Sequence, residues 1–328
     1  MPLTCVRTFQ VRHCECDAYG RVSCANYVRY MQESAFDASA AAGYNMARYE
    51  AMGQGWLVRE TELEVLRPLH YGDSVQVKTY VADFRRVRSR RAYELRLAGS
   101  GAWVARAHTD WVFMDHITRR PALIPQEMMA AFFPEGPPES APPRSRFPPA
   151  PPPPPGVFRL RRRVEWRDID TAQHVNNAVY LAYLKDCALK ATAAHGWPPS
   201  RMQAEGFAVV ACRHRIEYRQ PAVLGDELEL ATWVSDVGRA TGVRHGTVRR
   251  VSDGALLARA RAVWVCVDAR TWRPIRIPGA LLADLAPNVV GGDDSEVVTV
   301  HTALTSRTAA NYQDFPIHRR NDDESDPL

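Results

Sequence analysis

A chain of 328 residues, 46% hydrophobic and 24% charged, has the composition of a folded protein and too much length for one small domain, so global disorder is excluded and two cores are expected. The formal charge of +5 is carried almost wholly by arginine, lysine occurring only at Lys78, Lys185 and Lys190, and so mild a balance gives no ground for a nucleic-acid partner. Seven cysteines without zinc-type CxxC pairs speak against a disulfide framework; with no signal-like N-terminus and no apolar window of about 18 residues, a soluble, cytoplasmic protein with no membrane partner is expected.

The N-terminal segment reads as a strand running into "HCEC" at His13 to Cys16, the nearest approach to a metal motif. Alternation would put Cys14 and Cys16 on one face, where small core residues are the preferred reading, and no metal is expected. A helix follows from about Ala25 to Ala42, with Tyr27, Tyr30, Met31, Ser34, Ala35 and Ala38 on one stripe at helical spacing and Gly43 at its C-terminal end. Four alternating, β-branched and aromatic stretches come next: "WLVRETELEVLRPL", "SVQVKTYVADFRR", "RRAYELRLAGSG" and "WVARAHTDWVFMD". Turn signals such as "YGDS" and "GSG" separate them, which predicts an antiparallel meander. The arginine run "FRRVRSRR", Phe84 to Arg91, falls at a predicted hairpin. It is read as a solvated edge, with a phosphate grip as the functional alternative.

Proline dominates residues 134–156, which are read as a stiff polyproline II tether, a PxxP docking segment being the alternative. The first unit is then written again. Asp17 registers on Asp170 at an offset of 153 residues, and the same offset carries Val22 onto Val175, Tyr27 onto Tyr180, Gly43 onto Gly196, Trp111 onto Trp264 and Pro125 onto Pro278 without a gap. The expected organisation is therefore an α+β unit at 1–133, the linker at 134–156, a second α+β unit at 157–287 and an acidic, disordered tail at 288–328. Each unit is expected to be an antiparallel sheet wrapped around one long helix.

The residues at the start of both helices carry a family resemblance. "DIDTAQHVNNAVYLAYL" in the second copy looks like acyl-ACP thioesterases, while "CDAYGRVSCANYVRYMQ" in the first looks like the acyl-CoA branch typified by 4-hydroxybenzoyl-CoA thioesterase. Together with the later "YRQPAVLGDELEL", they make the chain resemble the hot-dog fold thioesterases in a tandem, double hot-dog form. That resemblance implies two units paired as an intramolecular pseudodimer, sites at their interface, and hydrolysis of an acyl-CoA or acyl carrier protein thioester without a cofactor. A homo-oligomer of the pseudodimer stays open.

Thioester hydrolysis needs a carboxylate or an activated water at the carbonyl and donors for the oxygen that becomes negative, both available where a helix begins. Asp17 and Asp170 are the candidate base or nucleophile, their structural alternative being cap or turn residues. The amides of Cys24 and Asn177 are the candidate oxyanion donors. His174 is read as orienting the thioester or the Asp, and Asn176 equally as a ligand contact or an N-cap. Tyr27, Met31, Tyr180 and Leu184 are the expected acyl-pocket residues. The second copy is preferred as the working half because it keeps His174, Asn176 and Asn177, where the first has Arg21, Ser23 and Cys24. A non-catalytic acyl-binding scaffold and a hot-dog hydratase or dehydratase are the alternative functions. The Asp-to-His spacing of four in the second copy disfavours the hydratase.

Overall fold

The computed structural model describes residues 2–136 and 143–291, so the expected tail lies largely outside the described residues. Each half contributes five strands and one long helix. In the first are β1 (Thr4–Gln10), α1 (Cys24–Ala41), α2 (Met46–Met52), β2 (Gln54–Val65), β3 (Ser74–Arg85), β4 (Arg88–Leu97), β5 (Trp103–Asp115) and α3 (Gln126–Phe132). In the second are β6 (Phe158–Arg163), α4 (Asn177–Ala194), α5 (Pro199–Ala204), β7 (Phe207–Tyr218), β8 (Glu227–Ser235), β9 (Thr241–Arg250), β10 (Leu256–Asp268) and α6 (Gly279–Leu285). Helix α1 begins and ends within a residue of its expected bounds, whereas the short helices α2, α3, α5 and α6 were not expected. The fold is the expected α+β one.

All ten strands form a single antiparallel sheet, in the order β1-β3-β4-β5-β2-β7-β10-β9-β8-β6. Alternation explains which face each strand buries: along β3, Val75, Val77, Thr79 and Val81 turn inward, and an irregularity after Val81 turns Asp83 to the outer face. The stripes of α1 and α4 lie on that inner face, and Tyr27, Tyr30 and Met31 share one continuous core with Val179, Tyr180 and Tyr183. The halves meet where β2 pairs with β7, from Glu60 opposite Glu217 to Glu64 opposite Arg213. Glu62 there faces Arg215, its own counterpart at the offset of 153, so the pseudo-twofold axis passes through this pair.

Three expectations are corrected. His13–Glu15 is a single 3-10 turn rather than strand, so Cys14 and Cys16 do not share a strand face. The arginine run is solvated only in part: Arg85, Arg86 and Arg88 are exposed at the hairpin, but β4 lies inside the sheet rather than at its edge, Arg90 and Arg91 are buried, and Arg90 makes two 2.7 Å bonds to the Asp110 carboxylate. The described part of the linker does not stand off as a spacer. It is strapped along the outer face, where Pro143 accepts from Arg90, Arg144 pairs with Asp83, Ser145 accepts from Arg215, and Phe147 lies 4.5 Å beneath the Arg259 guanidinium. Pairing on the outer face explains the last two: Arg90 has Asp110, Asp83 has Arg144, and Arg215 and Arg259 have Ser145 and Phe147 alongside.

Candidate active site

The same turn precedes both long helices. In the first half the Asp17 carbonyl accepts from the Gly20 amide at 2.8 Å and Arg21 from the Asp17 amide at 2.8 Å; in the second, Asp170 and Gln173 bond at 2.9 Å and His174 accepts from Asp170 at 3.1 Å. Gly20 and Gln173 hold the left-handed position, φ 69 and 63, so the second copy accepts a side chain where glycine is cheaper. The carboxylates then diverge. Asp17 Oδ1 accepts from the Tyr19 and Arg21 amides, and Oδ2 accepts from Lys185 Nζ of α4 at 2.8 Å, an ion pair across the two halves. Asp170 accepts from the Ala172 amide and from Asn176 Nδ2, which also donates to Gln32.

The helix starts differ too. Asn176 caps α4 by accepting from the Ala178 amide at 2.9 Å, while Ser23 makes no side-chain cap to α1. Among the described residues the Cys24 amide finds no backbone partner. One orphan donor of the first turn therefore stays available beside Asp17, where the dipole favours negative charge.

A cavity of about 290 Å³ opens from this helix mouth, near the lower end for small-molecule sites. Asp17, Tyr19, Arg21, Ser23 and Cys24 of the first half form one end. The body lies under α4 of the second half, between Leu181, Leu184, Lys185, Ala188 and Thr192 and the inner face of β7 to β10, including His214, Arg244, Gly246, Ala260, Ala262 and Trp264. His214 faces the Cys24 thiol. Burial alone would raise the thiol pKa, but the imidazole and the Lys185 ammonium outweigh it and the net direction is down. At the entrance the Arg21 guanidinium stacks 4.6 Å over Trp272, and Tyr19 meets the same ring edge-on at 5.8 Å.

Comparing the halves position by position explains why the cavity is one-sided. Gly246 corresponds to Tyr93, Met202 to Tyr49, Val209 to Trp56 and Leu184 to Met31, so the first half fills with larger side chains the volume that the second leaves open. A Cβ at Gly246 would sit 2.8 Å from Leu184 Cδ2, so any larger residue there would push the Leu184 side chain aside and take up channel volume. His214 replaces Thr61 and Lys185 replaces Gln32.

From the residues expected at the site, the cavity takes Asp17, Cys24, Tyr27 and Leu184; Asp170, His174, Asn176, Asn177, Met31 and Tyr180 do not line it. The cavity is therefore lined by the first copy's motif and not by the second copy's, the one preferred from sequence. Asn176 is an N-cap that also bonds Asp170 and Gln32, whereas the Asn177 amide, like that of Cys24, finds no backbone partner among the described residues, so what separates the two helix starts is the cavity and not the amide. Tyr27 and Tyr180 are ties, each hydroxyl accepting from a backbone amide, of Leu69 at 3.0 Å and of Ala222 at 2.9 Å. Sequence reasoning missed Lys185, His214, Arg21, Arg244 and Trp264. The differences between the copies at Gln32/Lys185, Thr61/His214 and Tyr93/Gly246 were the available signal. Glu60, Glu62 and His108 approach one another as metal ligands do, but Arg213 and Arg215 already hold the two carboxylates.

A family model described as the acyl-ACP thioesterase N-terminal domain matches residues 2–132, and one for the thioesterase-like superfamily matches 164–285. The branch suggested for each half from its helix-entry motif is thus inverted, because that motif reports how a helix starts beside a carboxylate rather than which branch it belongs to. The chain is 26% identical over 267 residues to the chloroplastic palmitoyl-acyl carrier protein thioesterase of Cuphea hookeriana, 79% of this chain and 61% of that protein. It is 30% identical over 122 residues to the long-chain acyl-CoA thioesterase of Escherichia coli, 36% of this chain and 89% of that one. The chain thus spans less than two thirds of the plant relative's length. In structure it resembles the 12:0-ACP thioesterase of Umbellularia californica (TM-score 0.63, 22% identity, 80% of this chain, 98% of that one). It also resembles an acyl-ACP thioesterase of Bacteroides thetaiotaomicron (TM-score 0.62, 18% identity, 80% and 97%). A duplicated unit, one continuous ten-stranded sheet and these matches together lead to one conclusion: the chain belongs to the hot-dog thioesterases, in their tandem form.

Proposed function

We propose that the chain hydrolyses an acyl thioester, carried on coenzyme A or an acyl carrier protein, to a free acid and a thiol at the Asp17 mouth. The observation that carries this reading is the continuity of one cavity, from a carboxylate and an uncapped helix start in one half into an apolar channel of the other. The acyl chain lies under α4, which brings the carbonyl carbon to Asp17 and its oxygen to the Cys24 amide. Asp17 takes a proton from water as the water oxygen bonds to the carbonyl carbon; the C–S bond then breaks and the proton passes to the departing thiolate. Lys185 fixes the Asp17 carboxylate by its 2.8 Å bond. Arg21 and the Tyr19/Trp272 rings sit where the carrier's phosphopantetheine would enter, and guanidinium suits phosphate.

Thiol release from matched acyl-CoA and acyl carrier protein substrates tests the reading. Asp17→Asn is expected to lower kcat by about 100-fold or more, and Asp170→Asn to leave it within about threefold, since nothing in its surroundings reaches the cavity. Equal losses in both variants, or full activity in Asp17→Asn, would overturn it.

The thiol of Cys24 against His214 favours a second route. Here the sulfur attacks the carbonyl, the acyl group transfers to Sγ with release of the carrier thiol, and water then cleaves the acyl-enzyme. A burst of thiol release is its kinetic mark.

A further inference from the structure

The far end of the channel does not match a plain hydrocarbon tail. Arg244 of β9 lines it, and among the described residues its Nη1 is sealed from solvent without a hydrogen-bond partner, while Nη2 reaches the Thr192 hydroxyl at 3.4 Å. Trp264 Nε1, on the same sheet face, is likewise buried and unpaired. The indole lies flat over Gly242, two residues before Arg244, where a Cβ would come within 2.4 Å of Trp264 Cζ2. Both unpaired groups are donors. The one carboxylate among the described lining residues is Asp17, held by Lys185 at the other end.

Lys185 and Thr192 stand seven residues apart on α4, so the two ends are separated by about 10 Å. His214, Ala262 and Arg244 run across three neighbouring strands, which gives about the same span. A buried guanidinium with no counter-charge is costly to a fold. Burial pulls the Arg244 pKa down to about 10, slightly opposed by Cys187.

Inheritance from the duplicated ancestor accounts for a buried arginine at this position but not for the open space before it. The counterpart, Arg91, is also buried but lies 5.6 Å over the Phe132 ring, beside Tyr93. The second half has Leu285 and Gly246 at the matching positions, which removes both aromatic rings and leaves space in front of the guanidinium.

Resting on the proposed hydrolase reading, we infer that the acyl channel selects acyl groups that carry a hydrogen-bond acceptor at the end remote from the thioester, bound by Arg244 and Trp264. A carboxylate and a neutral carbonyl share this chemistry, and the experiment separates them.

The probes are N-acetylcysteamine conjugates of octanoyl, keto-terminated octanoyl and suberoyl groups, made as amides, with nitrogen in place of the thioester sulfur. They do not turn over and carry no phosphate. Calorimetric titration is expected to rank suberoyl above octanoyl by about tenfold to a hundredfold, the range of a charge-assisted hydrogen bond; the keto probe leading instead would assign the site to neutral acceptors. Arg244→Met is expected to erase the ranking while melting at or above the wild-type temperature, because an uncompensated buried charge is removed. A purely structural arginine would instead lower the melting point and leave the ranking intact. If Arg244→Met does not fold, Arg244→Lys retains the charge and is expected to keep the suberoyl preference. Equal binding of all three probes by the wild type, or octanoyl binding best, overturns the inference whether or not thioesters are hydrolysed. Arg244-dependent suberoyl binding without any turnover would overturn the hydrolase reading alone.

Discussion

At the residue scale the chemistry turns on the Cys24 peptide. Two substitutions separate its amide from its thiol. Proline is tolerated at the first helical position, and Ser23 already has the extended backbone, φ −66 and ψ 143, that precedes proline. Cys24→Pro therefore removes the N–H without breaking α1, and is expected to cost about 100-fold to 1,000-fold in kcat, the usual loss of one oxyanion donor. Cys24→Ala keeps the N–H and is expected to stay within about tenfold of wild type, read by steady-state thiol release. Should alanine be as damaging as proline, with the burst present only in wild type, the covalent route through Sγ is the working one. Asp17 was legible as a candidate because it stands before a helix in a repeated motif. Its partner Lys185 was not, because the pairing crosses 168 residues and appears only when the halves are docked.

At the element scale one helix-and-sheet unit serves two purposes. The first half is packed solid by Tyr49, Trp56 and Tyr93, while the second keeps the channel under α4. Tyr93 is fully interior, so Tyr93→Ala is expected to cost about 3–5 kcal/mol in denaturant unfolding, as other large-to-small aromatic truncations do. A loss below about 1 kcal/mol would mean that the first half also has room to spare. The elements were readable because apolar stripes, closing glycines and turn residues repeat at one offset. Which half stays hollow was not, since polar motif residues drew attention to Asn176 and His174, and packing volume, not polarity, decides where a cavity lies. The buried arginines of β4 were misread for a related reason: a charged run looks solvated until Asp110 is brought alongside Arg90 and the Phe132 ring alongside Arg91.

At the scale of the whole molecule the seam between β2 and β7 is charge-complementary. Arg215 Nε meets Glu60 at 2.6 Å, Arg213 holds Glu62, and Arg59 meets Glu217 at 3.0 Å. Two copies of the first half would set Glu62 against Glu62 on the axis; the tandem sets Glu62 against Arg215. The Arg215 and Glu60 side chains are only 14% and 11% exposed, so losing one partner leaves a poorly solvated charge. Arg215→Gln is expected to lower stability by about 2–4 kcal/mol, somewhat less than a fully buried pair would lose, and Glu60→Gln in the same chain should recover part of it. Additive losses in that double-mutant cycle would show that the pair is not coupled.

The sequence by itself determined the duplicated unit, its element order and the family, because those follow from local periodicity, turn chemistry and an internal repeat. Only the tertiary structure decided which carboxylate meets a cavity and which arginine stands inside it. Those properties depend on side chains more than a hundred residues apart sharing one enclosed volume, and neither spacing nor composition records where volume is left unfilled.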